Sequence, residues 1–397
     1  MATVVLDNGA YTAKVGFCAD AEPRLIPNCV IKAKTVRNRV FIGDQVDDCK
    51  DLSGLFYLLA FQKGYLVNGE IQKKVWDYIY GKDVLKVDFN ETGLVVTEPY
   101  FNFTSITEAM TEIFFEEYQF KSIFKCNPSF LSQFQRQQSQ SQSQSLCCLV
   151  IDSGYSFTHI IPYYKGKKIT DGVRRINIGG KVLTNHLKEI ISYRQLMVMD
   201  ETYVVNQMKE DVCYVSTQLW RDMDIVKKKG KENTIVRDYI LPDYTHIKRG
   251  YIRAPDNENA DKNAAQQVIR MNIERFSVPE LLFHPSDIGL EEMGIPEAIG
   301  HCVSSLPEEM QPHMYGNIVL TGGNCLLPGF KTRLYDDLRA LIPDEYDLHV
   351  HLPENAQTCA WQGGQQLCKD NTYSSLCVTK QEYDEHGHSI CGDKFDI

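Results

Sequence analysis

A short pattern that occurs twice constrains the fold of this chain more than any other feature. The run VVLDNG at positions 4–9 returns as LVIDSG at positions 149–154. Each copy has the character of a buried β-strand that stops at an Asp-x-Gly turn. The glycine lets backbone N–H groups converge on an anion, and the aspartate can hold a hydrated magnesium ion. Two copies, each opening one half of the chain, predict two similar domains that clamp the phosphate tail of one nucleotide.

Length and composition set the broad class. A chain of 397 residues is too long for one ordinary core and fits two lobes, and 43% hydrophobic with 24% charged residues indicates a globular protein. A net charge of −10 excludes a global basic field for nucleic acid, so any DNA contact would be local. The 13 cysteines have no regular spacing and favour reduced thiols in the cytosol or nucleus. Asp7 interrupts the N-terminal apolar run, and the longest apolar stretch (55–61) is short, so we expect no signal peptide and no membrane span.

Apolar spacing predicts several elements around the two turns. The helix expected near Thr107 has that threonine as its N-cap, because a hydroxyl can accept a hydrogen bond from the first free N–H groups. In chain order, we expect a strand at 11–17, a helix at 71–80, a strand at 94–97, a helix that begins at Thr107, a helix at 184–192 and a strand at 317–320 before a Gly-Gly turn.

Two polar regions interrupt this pattern. Residues 135–145 are almost entirely Gln and Ser and cannot bury apolar surface, so we expect a solvated loop that connects the lobes, with an interaction tract as the alternative. Residues 224–270 are the least core-like region. They favour a solvated surface insertion, or alternatively an element that docks a partner or the DNA backbone. The two basic clusters of this insertion are Lys227, Lys228, Lys229 and Lys231, and Lys248, Arg249 and Arg253.

An ordered set of motifs resembles the actin superfamily over nearly the whole chain. The motifs are Asp7-Asn8-Gly9 with Lys14, Asp152-Ser153-Gly154 with Thr158-His159, Lys209-Glu210, Leu241-Pro242-Asp243, Glu274-Arg275-Phe276, Thr321-Gly322-Gly323, Trp361-x-Gly363-Gly364 and the string at 379–384. Within the superfamily, the stretches at 53–57, 98–103 and 293–298 are similar to the sixth class of nuclear actin-related proteins.

This resemblance implies an α/β, actin-like fold. Two similar α/β domains, each divided into two subdomains, would enclose a cleft for ATP or ADP with Mg²⁺ or Ca²⁺. The implied first lobe comprises 1–146 plus 349–397 with a small subdomain at 29–64, and the second comprises 147–348 with an outer subdomain at 179–275 that includes the insertion 224–270.

The resemblance also implies the residues of the cleft. The first phosphate loop would be Asp7, Asn8, Gly9, Ala10 and Lys14, the second Asp152, Ser153 and Gly154, and the nucleoside lining Gly180, Lys209, Glu210, Gly322 and Gly323. Asp7 and Asp152 would hold the cation through water. The candidates for hydrolysis are Asn127, Asp152 and His159. Two alternatives stay open: Lys209 and Glu210 as a plain helix-surface pair, and His159 as a hydrogen-bonded interior histidine.

Four departures from actin bear on activity. Actin's serine and second glycine after its first turn are replaced by Ala10 and Tyr11. The second turn is followed by Tyr155-Ser156-Phe157, with two bulky aromatic residues, where actin has acidic, glycine and aliphatic residues. The glutamine that positions water in actin aligns with the shorter Asn127, and about 1 Å of misplacement can cost about a hundredfold in rate. These three changes weaken hydrolysis. The fourth, the lack of actin's long loop in 29–63, argues against self-polymerisation.

The implied function is that of a non-catalytic scaffold. By resemblance, the chain is a nuclear subunit of a Swr-type ATP-dependent chromatin remodeller that exchanges the Z-type variant histone and regulates transcription. Its partners would be a zinc-finger subunit, the separate motor ATPase, the nucleosome and the variant histone, without a membrane. Local DNA contact, heterochromatin association and a cytoplasmic pool stay open. The alternatives are a weak ATPase or phosphotransferase on the same fold, and a cytoskeletal polymer, which the segment 29–63 disfavours.

Overall fold

The computed structural model describes residues 2–33, 39–49, 55–139, 145–253 and 266–395. The strands are β1 (Ala2–Asn8), β2 (Thr12–Phe17), β3 (Arg24–Pro27), β4 (Cys29–Ala33), β5 (Val40–Ile42), β6 (Leu55–Leu59), β7 (Phe61–Gln62), β8 (Tyr65–Leu66), β9 (Thr92–Thr97), β10 (Ser122–Cys126), β11 (Cys147–Ser153), β12 (Thr158–Tyr164), β13 (Lys167–Lys168), β14 (Arg174–Ile176), β15 (Arg237–Ile240), β16 (Tyr251–Ile252), β17 (Val268–Met271), β18 (Ile318–Thr321), β19 (Val350–His351) and β20 (Val378–Thr379).

The helices lie between and around these strands. They are α1 (Gly69–Tyr80), α2 (Thr104–Glu112), α3 (Pro128–Ser139), α4 (Gly180–Arg194), α5 (Thr202–Val212), α6 (Leu219–Val226), α7 (Glu274–Glu280), α8 (Ile295–Ser304), α9 (Gln311–Tyr315), α10 (Phe330–Leu341), α11 (Cys359–Leu367), α12 (Tyr373–Leu376), α13 (Lys380–His386) and α14 (His388–Phe395). A π-helical turn, Ile113–Glu117, continues α2. None of the described helices is long and apolar enough to cross a lipid bilayer.

Two six-stranded sheets repeat one arrangement. The first has the order β20-β10-β9-β1-β2-β3, and the second has the order β13-β12-β11-β18-β19 with β14 beside β12. In each sheet the strand of the repeated pattern pairs antiparallel with the next strand and parallel with a much later one: β1 with β2 and β9, and β11 with β12 and β18. The two Asp-x-Gly turns therefore join equivalent strands of two similar units.

A shared core joins the two sheets. Helices α3 and α11 pack together, and apolar side chains of both sheets, such as Val5 and Val150, belong to the same buried cluster. Trp361 of α11 is fully buried and donates from Nε1 to the carbonyl oxygen of Val5 at 3.1 Å. This core fixes the two turns relative to one another. The lobe boundaries given above stay predictions.

Helix α2 begins earlier than predicted. It starts at Thr104, and the residue at its N-cap is Phe103, which makes no side-chain cap. Thr107 lies inside the helix, where its hydroxyl donates to Glu98 Oε2 at 2.9 Å. The start was misplaced because this helix lacks the capping residue that marks a start in sequence. Helix α4 similarly begins at Gly180, four residues before the predicted Thr184.

The Gln/Ser tract is partly helical, so the prediction of a loop is wrong for its first residues. Helix α3 runs to Ser139, because its first half packs against α11 and glutamine has a good helix propensity. Residues 140–144 lie outside the described residues, as do 34–38 and 50–54 of the segment predicted to lack actin's long loop.

The polar insertion 224–270 also contributes to a core. Strands β16, β15 and β17 form a three-stranded antiparallel sheet. Tyr239 and Ile269 are fully buried within the core of the second large sheet. The prediction of a wholly solvated insertion is therefore wrong for these strands, since β17 alternates exposed and buried residues as a half-buried strand does. Residues 254–265 lie outside the described residues.

Candidate nucleotide cleft

A cavity of about 450 Å³ opens where the two Asp-x-Gly turns approach each other. It is lined by the predicted residues Asp7, Asn8, Gly9, Ala10, Lys14, Asp152, Gly154, Gly180, Lys209, Glu210, Gly322 and Gly323. Of the predicted nucleotide-binding residues, Ser153 does not line it. The structure thus brings together residues that lie more than 300 positions apart in sequence.

The first turn presents one cation beside a carboxylate. Asp7 and Lys14 face each other across the β1–β2 pair, and Lys14 Nζ lies 3.0 Å from Asp7 Oδ2. Thr97 donates its hydroxyl to Asp7 Oδ1 at 2.8 Å. A Cβ at Gly9 would lie 2.7 Å from the carbonyl oxygen of Thr12, so only glycine fits this turn without displacing backbone. The carboxylate and the lysine are therefore fixed in position at the cleft.

Two buried amides that sequence reasoning missed hold this turn from behind. Asn28 Nδ2 donates to Asn8 Oδ1 at 3.2 Å and to the carbonyl oxygen of Gly9 at 2.9 Å. Gln72 Nε2, from α1, lies 3.5 Å from Asn8 Oδ1. Asn28 and Gln72 are both fully buried. In the sequence, each of the two is only a polar residue within an apolar pattern. Such a pattern does not identify the hydrogen-bond partner of the side chain.

The second turn places another carboxylate at the cleft. Burial and the nearby charge of Asp7 raise the pKa of Asp152 to about 7, and Lys14 opposes this shift. One lysine thus faces two carboxylates. A divalent cation beside them would favour the ionised form of Asp152, and hard cations prefer oxygen ligands. The donor set therefore fits a cation held between the turns.

Ser153 supports the second turn instead of facing the cleft. It is fully buried, and its hydroxyl lies 2.9 Å from that of Thr158. Asn324 donates to Ser153 Oγ at 3.1 Å and to the carbonyl oxygen of Gly154 at 2.7 Å. That carbonyl also accepts from the N–H of Gly180 at 3.0 Å. The first amide of α4 is therefore already bonded to protein.

Aromatic side chains connect the two turns across the cleft. The rings of Tyr11 and Tyr155 stack with centroids 4.7 Å apart. Asn206 of α5 donates to the Tyr11 hydroxyl oxygen at 3.0 Å. Burial raises the pKa of both phenols, that of Tyr155 to about 12, so both are neutral at physiological pH. The bulky residues expected near the phosphates thus make a direct contact between the lobes.

Arg175 makes a second contact across the cleft. Its guanidinium carbon lies 4.7 Å from the ring centroids of both Tyr65 and Phe157. It donates to the Tyr65 hydroxyl at 2.8 Å and to the carbonyl oxygen of Lys63 at 2.7 Å. Between these residues, Gly64 has φ +81° and a Cβ there would clash with the Phe157 ring. The β7–β8 hairpin is therefore fastened to the second turn.

Comparison with known proteins identifies the family to which this cleft belongs. A model of the actin family matches residues 1–396. This chain belongs to the actin family. The Drosophila melanogaster protein named "Actin-related protein 6" is 46% identical over 389 residues, covering 97% of this chain and 98% of that protein. Proteins of the same name from Neurospora crassa and Arabidopsis thaliana are 36% and 33% identical, covering 99% of this chain and 94% and 99% of the relative.

The predicted actin-like α/β fold and the resemblance to the sixth class of actin-related proteins are thereby confirmed. Members of the actin family generally bind ATP or ADP with a divalent metal ion. Which of the lining residues bind such a ligand stays a prediction.

Lys209 is an interior residue of this actin-family cleft. Lys209 is only 5% exposed, and burial lowers its pKa. Its Nζ donates to Thr184 Oγ1 at 3.0 Å, to Asn206 Oδ1 at 2.9 Å and to the carbonyl oxygen of Gly180 at 3.3 Å. The alternative of a plain surface pair with Glu210 is therefore wrong. All three donors of the ammonium are bonded to protein.

Two of the three candidates for hydrolysis do not line the cleft. Asn127 donates its side-chain amide to the carbonyl oxygen of Glu98 at 3.0 Å. His159 is 1% exposed and its ring lies 4.2 Å from that of Phe157; burial and then Arg175 lower its pKa to about 3. Phe157 and neighbouring aromatic rings enclose His159, and its Nε2 has no hydrogen-bond partner among the described residues, so the place of His159 near the hydrolytic water stays a prediction. Asp152 alone of the three lines the cleft.

Only some of the basic residues predicted to contact a partner or DNA form ion pairs with acidic side chains. Lys227 pairs with Asp224 at 3.0 Å, Arg249 with Asp211 at 2.8 Å and Arg253 with Asp238 at 3.9 Å. Within the described ranges, no ion pair involves the exposed side chains of Lys228, Lys229, Lys231 and Lys248. The surface therefore offers fewer free cations than the sequence suggests.

Proposed function

We propose that this chain is a non-catalytic actin-related subunit of a Swr-type ATP-dependent chromatin-remodelling complex. There it supports exchange of the Z-type variant histone and transcription regulation in the nucleus. One observation supports the non-catalytic part: both phosphate turns line the cavity, while Asn127 and His159 do not. A cleft of this kind can hold a nucleotide without activating water. The full-length similarity to proteins named "Actin-related protein 6" supports the rest of the proposal.

The resident ligand in this proposal is ATP or ADP with Mg²⁺ or Ca²⁺. The two turns that contain Gly9 and Gly154, together with Lys14, would hold its phosphates, and Asp7 and Asp152 would hold the cation through water. When bound, the ligand supplies charge that ionises Asp152 and stability by linkage, about 4 kcal/mol at a thousand times Kd. Lys14 acts as a point charge toward phosphate.

The proposed partners are a zinc-finger subunit, the motor ATPase of the complex, the nucleosome and the variant histone. The motor supplies the hydrolysis that drives exchange, so this subunit needs none. The free lysines of the insertion, Lys228, Lys229 and Lys231, support a partner- or DNA-facing role for that side. Reversing these charges should weaken complex assembly or nucleosome binding; unchanged assembly and binding would remove this part of the proposal.

The deciding experiment starts with the purified chain. The chain is denatured and any released nucleotide is identified by chromatography, while phosphate release is followed with excess ATP and Mg²⁺. We expect one equivalent of nucleotide and phosphate release at the level of the buffer blank. Repeated turnovers would support a weak ATPase instead. In parallel, histone exchange by the reconstituted complex should be lost when this chain is omitted, and undiminished exchange would refute the remodeller assignment.

A further inference from the structure

Helix α6 carries a large apolar side chain that is mostly exposed. The helix has no buried residue, and Trp220 is 82% exposed. The other two tryptophans, Trp76 and Trp361, are both fully buried. An exposed indole of this extent is expected at interfaces, where tryptophan and arginine contribute most to binding.

The exposed side chains of α6 share one face. Positions 220, 221, 224, 227 and 228 are exposed and follow the spacing i, i+1, i+4, i+7 and i+8 of a single helical stripe. The stripe continues past the end of α6, because the N–H of Lys228 donates to the carbonyl oxygen of Ile225 at 3.0 Å. Trp220 and Arg221 thus lie at one end and the lysines at the other, about 10 Å along the axis.

The charge of this stripe is positive at its C-terminal end. Lys227 is compensated by Asp224, whereas Lys228 makes no ion pair with any described residue, and neither does Lys229, which follows the stripe in extended backbone. Arg221 makes no ion pair within the described ranges, and it donates to the neutral Gln218 Oε1 at 3.1 Å. This surface therefore has free cations near an exposed aromatic ring. A partner segment that carries carboxylates beside an apolar side chain would complement it.

We propose that this stripe of α6, together with Lys229 directly after it, docks an acidic segment of a partner protein, in which apolar side chains cover Trp220 and carboxylates pair with Lys228 and Lys229. A protein fits better than DNA. Phosphate binding strength grows with the number of cations that displace counterions, and here few are free on a chain with net charge −10. The inference does not depend on the remodeller assignment, since it concerns only the chemistry of the docked segment.

Fluorescence of the full chain tests the proposal, because Trp220 is the tryptophan that acrylamide can reach. The probes are a tryptophan-free peptide with four glutamates beside two leucines, the same peptide with glutamines, and a 20-base-pair duplex. We expect the glutamate peptide to lower the quenching constant at least twofold and the glutamine peptide to leave it unchanged. The variant Lys228→Glu/Lys229→Glu should lose this protection. Protection by DNA at physiological salt but not by the peptide, or no protection at all, would overturn the proposal.

A photo-crosslinker identifies the natural segment. Trp220→p-benzoylphenylalanine in cells should crosslink to a segment with net negative charge, and Trp220→Ala should weaken retention of that protein at least tenfold. Tyr193→Ala is the matched control, because Tyr193 is 92% exposed on α4, outside the stripe. Crosslinks confined to basic segments or to DNA, or equal effects of the two alanine variants, would overturn the assignment of α6.

Discussion

The rings of Tyr11 and Tyr155 lie 4.7 Å apart with planes inclined by 27°, so a stacked pair joins the two phosphate turns. The pair takes the place of residues that are small or acidic in actin, and it links the lobes through protein atoms alone. With the Arg175 contacts to Tyr65 and Lys63, the cleft is spanned at two places. We infer that the closed arrangement depends less on a bound nucleotide than it would if ligand contacts alone joined the lobes.

Replacing Tyr11 tests this dependence. Tyr11→Gly removes the stack, worth about 0.5–1.5 kcal/mol beyond burial, and the hydrogen bond from Asn206, worth about 1 kcal/mol. We expect a lower free energy of unfolding by urea and release of a fluorescent ATP analogue at least tenfold faster. Tyr11→Phe is the control, which keeps the ring and loses only the hydrogen bond. Equal release rates for both variants and the unchanged chain would contradict a role of the stack in exchange.

Gly64 is expected to tolerate no side chain. Its φ of +81° is left-handed, and a Cβ would enter the Phe157 ring that Arg175 covers. Gly64→Ala should therefore lower the free energy of unfolding by about 1–3 kcal/mol, since backbone strain and displaced packing add. Gly69→Ala, at the start of α1 with nothing within 4 Å of its Cβ, is the matched control. It should be neutral or slightly stabilising; a similar loss at both positions would show that the hairpin contact is unimportant.

Asp152 and His159 should give opposite pH dependences of stability. The pKa of Asp152 is raised from 3.8 to about 7, so between these values the folded state holds a proton that the unfolded chain lacks, and stability falls as pH rises. The pKa of His159 is lowered from 6.5 to about 3, so between these values the unfolded chain holds the extra proton, and stability rises with pH. The two slopes oppose each other between about pH 4 and 6.5.

Asp152→Asn should expose the histidine slope. In metal-free urea unfolding, we expect this variant to lose more stability than the unchanged chain when the pH falls from 6.5 to 5. The contributions of the other carboxyl groups to the pH dependence cancel in this comparison, because those groups titrate in both proteins. Parallel pH profiles for the two proteins would show that Asp152 does not hold its proton in the folded state.

The sequence could predict the parts of the site that depend on local backbone chemistry. The two strand-turn pairs around Asp7 and Asp152 follow from apolar runs that end at Asp-x-Gly, and the structure has them in those places. The glycine at position 9 could likewise be expected, because the turn leaves no room for a Cβ. These features involve neighbours in sequence, where spacing determines geometry.

The remaining features depend on pairings between distant positions. The sequence showed bulky residues near the phosphates, but not that Tyr11 and Tyr155 would stack with each other. Nor could spacing show that Arg175 would reach the β7–β8 hairpin, or that His159 would be enclosed. A buried polar side chain takes whichever partner the tertiary fold offers, and a single sequence does not specify that partner.

Asn127 gives the sharpest test of the non-catalytic assignment. From the sequence, weak hydrolysis was expected because the Asn127 side chain is one methylene shorter than actin's glutamine. That explanation predicts that Asn127→Gln would restore hydrolysis. The structure predicts otherwise, because the amide donates to the carbonyl oxygen of Glu98 at 3.0 Å and does not line the cleft. We expect phosphate release by Asn127→Gln to stay at the buffer blank, with nucleotide retained. Asn127→Ala controls for the lost hydrogen bond and should cost about 1 kcal/mol of stability. A tenfold rise in phosphate release by the glutamine variant alone would show that position 127 can reach the attacking water. The non-catalytic assignment would then be wrong, and the protein would be a weak ATPase.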